Sequence, residues 1–159
     1  MLRAVLLALC LPVAAQAACK GVTLVSCPVG GGDVLEVCST GSSFTYAFGP
    51  AAAPELRLSV PMSSGPVQPW PGVGSAIWSS VGFPNAGYTY EVWISVERSP
   101  DATGPEAGVN VLQGDSIIAD FVCDGGEIAD PFRLQDEMYE AGHCWNYEGF
   151  AWRSDGKCD

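Results

Sequence analysis

The chain has 159 residues, of which 48% are hydrophobic and 16% charged, and its 18 acidic side chains outnumber 7 basic ones for a net charge of −11. That sign argues against nucleic acid and anionic membrane surfaces, which attract Lys/Arg patches. Its simplest consequence is solubility.

The first residues read MLRAVLLALCLPVAAQAACK. Arg3 supplies a positive start, Ala4 to Val13 form an apolar stretch, and Ala15-Gln16-Ala17 is a small-x-small site, which together make the pattern of a secretory signal peptide cleaved after Ala17. A spanning helix needs about 20 apolar residues, and this run is shorter and lacks a basic stop-transfer flank. Cys19 raises a lipoprotein alternative, but Gln16-Ala17-Ala18 lacks the aliphatic residue that such a site prefers. Removing residues 1–17 leaves 142 residues with 6 basic and 18 acidic side chains, a net charge of −12. That length suits one domain with one core, so residues 18–159 read as a single domain in a periplasmic or secreted protein.

Cys10 leaves with the signal, and Cys19, Cys27, Cys38, Cys123, Cys144 and Cys158 remain. An even count in an exported chain of this size reads as three disulfides, whose pairing the sequence alone cannot choose. The cysteines fall into an N-terminal and a C-terminal trio, so at least one bridge must join the two ends. Zinc would need close pairs of the Cys-x2-Cys kind, and the chain has none.

Short runs rich in Val, Ile, Tyr, Phe and Trp, bounded by Gly, Pro, Asn or Asp, predict strands at 22–28, 34–38, 43–48, 55–60, 75–82, 87–97, 107–113 and 116–123. Gly30-Gly31-Gly32-Asp33 is expected to close the first hairpin and Gly114-Asp115 the last, with a tight two-residue turn. In the strand at 87–97, Tyr88, Tyr90, Val92, Ile94 and Val96 alternate with mostly polar neighbours and should face the core, while Trp93 interrupts the polar face. Residues 60–75, VPMSSGPVQPWPGVGS, hold four Pro and three Gly and read as one long loop and not a strand. One helix is expected over PFRLQDEMYEA, residues 131–141, with Asp130 accepting a backbone N–H at its start, Pro131 at its first position and Gly142 at its end. The fold class is therefore a compact antiparallel β-sandwich or barrel with one short C-terminal helix.

With Cys27, Cys38, GSSFTYAFGPAAAPELRLSV (41–60), NAGYTYEVW (85–93) and EAGVNV (106–111) in view, the chain resembles a group of small, cysteine-containing exported envelope proteins of Gram-negative bacteria. Over most of residues 19–125 the resemblance implies a compartment and an architecture, and no biochemical activity. The chain is more loosely similar to the periplasmic lysozyme inhibitors, small acidic disulfide-bonded β-barrels with a Ser-Gly-x-x-Tyr inhibitory element. Ser64-Gly65-Pro66 is the nearest counterpart, with no Tyr in step.

Catalytic signals are sparse. His143 is the one histidine, no Gly-x-Ser-x-Gly elbow supplies a nucleophile, and the cysteines read as bridged. His143 therefore reads as part of a surface turn. With 18 acids some carboxylate pair is inevitable and carries no signal for glycoside chemistry. Asp124, Glu127 and Asp130 could offer oxygen donors to calcium, yet their spacing is not that of an EF-hand loop, and a solvated acidic turn is the simpler reading. No metal or cofactor is expected.

Trp70, held between Pro69 and Pro71, is the candidate binding residue, because two fixed φ angles keep its backbone preorganised and large aromatics make favoured interface anchors. The alternative is that Trp70 folds back to cap the core. Ser64 and Gly65 complete the candidate site. The expected function is a non-enzymatic envelope module that recognises a protein or glycan through this Pro/Gly/Trp loop. Alternatives are an inhibitor of a cationic hydrolase such as lysozyme, favoured kinetically by the net charge, and a small secreted hydrolase. Mass spectrometry of exported protein should find a mature chain beginning at Ala18; a retained leader or a lipid on Cys19 would contradict the signal assignment.

Overall fold

The computed structural model describes residues 19–155; the expected signal segment 1–17 and Cys158 lie outside the described residues. All eight expected strands form: β1 (Val22–Pro28), β2 (Asp33–Ser39), β3 (Ser43–Pro50), β4 (Leu56–Pro61), β6 (Ala76–Asn85), β7 (Tyr88–Glu97), β8 (Glu106–Gln113) and β9 (Ser116–Val122). Four short strands complete the set: β5 (Val67–Gln68), β10 (Glu127–Ile128), β11 (Cys144–Asn146) and β12 (Ala151–Arg153). They build two antiparallel five-stranded sheets, β10-β1-β2-β3-β4 and β5-β6-β7-β8-β9, and a separate β11–β12 hairpin.

The two sheets bury one shared core. Leu24, Val37, Phe44 and Tyr46 of the first sheet meet Phe83, Val92, Ile94 and Val109 of the second in a single cluster. Across the interface Tyr46 packs on Phe83 and Tyr90 at centroid distances of 5.3 and 5.6 Å, and Phe48 packs on Phe121 at 4.9 Å. Burial between the sheets, and then the neighbouring Tyr90, push the Tyr46 phenol up from its ordinary value. The architecture is sandwich-like, and β7 turns its faces as the alternation requires, with Val92 and Ile94 fully buried. Trp93 lies on the opposite face over its cross-strand partner Gly108, where a Cβ would come within 2.7 Å of the indole. The ring occupies the space a larger residue would need.

The hairpin ends also follow turn chemistry. Gln113 pairs with Ser116 across Gly114-Asp115, with Gly114 at φ +60°. Residues 60–75 differ from the expectation of one long loop. Met62–Ser64 forms a 3-10 turn and Val67–Gln68 pairs with β6, because Met62 and Val67 are buried in the core cluster and pin the chain at two points. Only the stretch after β5 runs free of regular pairing.

The helix α1 spans Arg133–Glu140, two residues later than expected at its start. Asp130 does accept the Phe132 N–H at 2.9 Å, but the Asp130 carbonyl also accepts from Arg133, so Pro131 and Phe132 belong to a turn preceding the helix. Its end is a Schellman motif: Gly142 at φ +84° bonds the Tyr139 carbonyl while His143 N–H bonds that of Met138. Leu134 and Met138 enter the core cluster, and the helix packs against β5 and β6. Among the described residues no helix is long and apolar enough to cross a membrane.

Among the described residues two disulfides are defined, Cys19–Cys38 and Cys27–Cys123, against the three expected for the whole chain. Cys144 is also disulfide-bonded. Cys27–Cys123 is the bridge that parity demanded between the two ends. It closes a sequence separation of 96 residues against 19 for Cys19–Cys38, so in the chain-entropy model it stabilises more. Removing both cysteines of the longer bridge should cost about 4–5 kcal/mol in urea denaturation, and removing the shorter one about 3 kcal/mol; the reverse order would show that loop length does not govern their contributions.

Candidate functional site

The Pro/Gly/Trp segment splits into two environments. Pro69 is buried, Trp70 is half-buried and Pro71 is exposed. The Trp70 indole N–H donates to the Val73 carbonyl at 2.8 Å, its ring meets Phe132 edge-on at 6.5 Å, and the Arg98 guanidinium lies 5.4 Å above it. Arg98 in turn donates to the Gly74 carbonyl at 3.2 Å. Trp70 is absent from the core cluster, and its ring folds onto its own loop and onto Phe132. It orders residues 70–75 more than it reaches outward.

Ser64 and Gly65 lie elsewhere, on one wall of a cleft of about 330 Å3 that also takes in Ser63, Gln68, Trp145, Phe150 and Trp152. Gly65 takes φ +66°, donates its N–H to the Met62 carbonyl, and leaves room for Trp152: a Cβ there would stand 3.3 Å from the indole Cδ1. Ser64 donates to the Pro61 carbonyl at 2.7 Å. The opposite wall is the β11–β12 hairpin, whose register pairs Trp145 with Trp152. Trp152 is the hinge of the site, since its indole N–H donates to the Val67 carbonyl at 2.6 Å and its ring makes edge contacts with Trp145 at 5.3 Å and Tyr139 at 5.8 Å.

The hairpin's turn is built locally. Asn146 Oδ1 accepts the N–H groups of Glu148 and Gly149, an Asx-type turn. Phe150 follows at φ +48°, a region bulky residues avoid, and is 69% exposed. Tyr147 is also exposed, with its hydroxyl accepting from Gln135 of α1 at 3.3 Å. The sequence reading placed only His143 and the cysteines beyond the helix and missed Trp145, Phe150 and Trp152. The available signal was density: Trp145, Tyr147, Phe150 and Trp152 fall within eight residues around Asn146 and Gly149.

The other candidates stay apart from this cleft. His143 sits at the helix cap with Nδ1 2.9 Å from Ser154 Oγ. Asp124, Glu127 and Asp130 do not converge: among the described residues no three His, Cys, Asp or Glu side chains come together to hold a metal. A second, acidic hollow of about 250 Å3 lies on the β7–β8 connection, with Glu97, Asp101 and Glu106 on its walls. Compared with known proteins, the chain matches no family model, no curated protein and no solved structure. Function must therefore be argued from the site's own chemistry.

If Trp70 orders its loop, Trp70→Ala should cost about 1–2 kcal/mol, the scale of an aromatic edge contact with a cation above the ring. Thermal or urea unfolding measures it. A loss of about 3–5 kcal/mol, typical of a truncated core aromatic, would show instead that the ring carries the core.

Proposed function

We propose that this protein is a non-enzymatic binding module of the cell envelope, and that its recognition site is the cleft between the Ser63–Gln68 segment and the β11–β12 hairpin. The observation that carries this reading is the state of the aromatic side chains there. Trp145 is only half-buried and Phe150 is exposed, and among the described residues the Trp145 indole N–H makes no hydrogen bond. Indole and phenyl rings left in water at a concave surface are the usual anchors of recognition.

In this reading Ser64 and Gly65 line the site, while Pro69, Trp70 and Pro71 lie outside it and support it by ordering the chain beyond β5. The envelope compartment rests on the signal pattern and on the disulfides, which persist in oxidising compartments. Inhibition of a cationic hydrolase is the second reading, favoured by the acidic hollow at Glu97, Asp101 and Glu106 and by the net charge. A hydrolase would have to work with His143 and Ser154, and the cleft contains neither.

Binding of the mature protein to envelope extract, followed by interferometry at low and high salt, separates these readings. Trp145→Ala should weaken capture by at least about 30-fold, corresponding to about 2 kcal/mol, with unchanged unfolding temperature and little salt dependence. Capture that survives Trp145→Ala but collapses at high salt would favour the acidic surface. Absence of any capture would remove the binding function itself.

A further inference from the structure

The geometry points to a neutral carbohydrate as the ligand of this cleft, an inference that rests on the cleft being the binding site. The chain carries 18 acidic side chains, yet none of the residues lining the cleft is charged. A site selected for a cationic peptide would place carboxylates where the ligand's charge falls, since an unpaired charge in a cleft costs free energy. The acidic groups lie instead on other surfaces, Glu97, Asp101 and Glu106 among them. The ligand that fits here has no net charge.

Its polarity follows from the other lining groups. Ser63 makes no side-chain hydrogen bond among the described residues, Gln68 uses one amide N–H on the Pro69 carbonyl at 3.2 Å and leaves its Oε1 unengaged, and the Trp145 N–H is unpaired. Ser64, donating to Pro61, can still accept. Donors and acceptors of this kind, interleaved with aromatic faces, do not suit a purely apolar ligand, which would leave them unsatisfied on binding. A pyranose ring presents both complements: C–H bonds of one face for the electron-rich surface of an aromatic ring, and a rim of neutral hydroxyls for the amide, hydroxyl and indole groups. The volume of about 330 Å3 lies at the small end of ligand sites, the scale of a short oligosaccharide segment.

A second, independent observation concerns Phe150. Glycine is the residue that adopts positive φ without steric cost, and a glycine stands next door at Gly149, yet the left-handed position is taken by Phe150. Holding a bulky side chain there strains the backbone, and such strain clusters at ligand sites. The turn gives up stability to hold an aromatic ring in solvent at the mouth of the cleft.

Isothermal titration of the mature protein with maltotetraose, cellotetraose and chitotetraose as neutral probes, and tetragalacturonate as the anionic one, tests the inference. At least one neutral tetrasaccharide should bind saturably, with less than about a twofold change in affinity between about 50 and about 500 mM NaCl. Phe150→Gly should weaken that binding by about tenfold or more while the unfolding temperature stays equal or rises, because the strain is relieved. A ring that served only the fold would give the opposite pair of results. Failure of every neutral probe, a preference for tetragalacturonate, or full binding by Phe150→Gly would overturn the carbohydrate assignment. If no sugar binds while envelope extract still yields a protein that Trp145→Ala loses, the binding site stands and its ligand is a peptide surface; if both fail, the cleft is not a binding site.

Discussion

Helix α1 is fastened to both sheets, and the position of the candidate site depends on that seam. Ser39, at the end of β2, donates to the Glu137 carboxylate, and Ser79 of β6 donates to the carbonyl of Pro131. Glu137 is 4% exposed and pairs with Arg133, which also reaches Glu140 at 3.0 Å. A buried carboxylate is tolerated only where hydrogen bonds and an opposite charge replace its hydration. Arg133 supplies the charge from one turn earlier in the same helix, and Ser39 supplies the hydrogen bond, which it can do only if the helix sits against the end of β2. Leu134 and Met138 bury the apolar side of the same helix, so the polar seam fixes its orientation while hydrophobic burial holds it down.

The β11–β12 hairpin inherits its place from this helix. Strands of three residues have little stability of their own. They are held by Trp152, which touches Tyr139 of the helix and donates to Val67 of β5, and by Tyr147, whose hydroxyl meets Gln135. Gln135 also donates to the Tyr139 hydroxyl at 2.8 Å, which couples the two attachments. A shift of the helix would therefore move one wall of the cleft against the other, since Gly65 is held by the buried Met62 and Gln68 by the pairing of β5 with β6. Rigidity of this kind lowers the ordering cost of binding.

The strands were legible because their period-2 patterns match a half-buried sheet: the expected 22–28 and the observed Val22–Pro28 coincide, and β7 buries the face that its alternation marks. The short strands β5 and β10 were not legible, since two residues carry no period; their pairing is imposed by neighbours, as when Val67 finds Val81. The direction of the Trp70 ring was illegible for a related reason. Two flanking prolines do preorganise a backbone, but they do not say which way the ring turns, and here Val73, Phe132 and Arg98 receive it. Ser64 and Gly65 were singled out through a local likeness, while their neighbours across the cleft stand about eighty residues further along the chain, a separation that only tertiary structure closes.

Two open sheets have four edges, and the way they are managed bears on why we propose the cleft as the binding site. β5 and β10 contribute only two residues each, too short to template another chain, and β4 carries exposed Arg57 and ends in Pro61, both of which discourage edge pairing. β9 is longer and exposes Ile117, Ile118, Phe121 and Val122. Its ladder with β8 is broken by an irregularity between Val111 and Leu112 that leaves Ile118 outside the register. Such a bulge twists an edge away from regular pairing and leaves only a few residues for a partner's backbone. The apolar side chains of β9 then sit on a surface that resists strand addition, whereas the rings of the hairpin line a concavity with polar groups beside them. Concavity and unspent hydrogen-bonding capacity together, more than exposed apolar area alone, distinguish a recognition site from a tolerated patch.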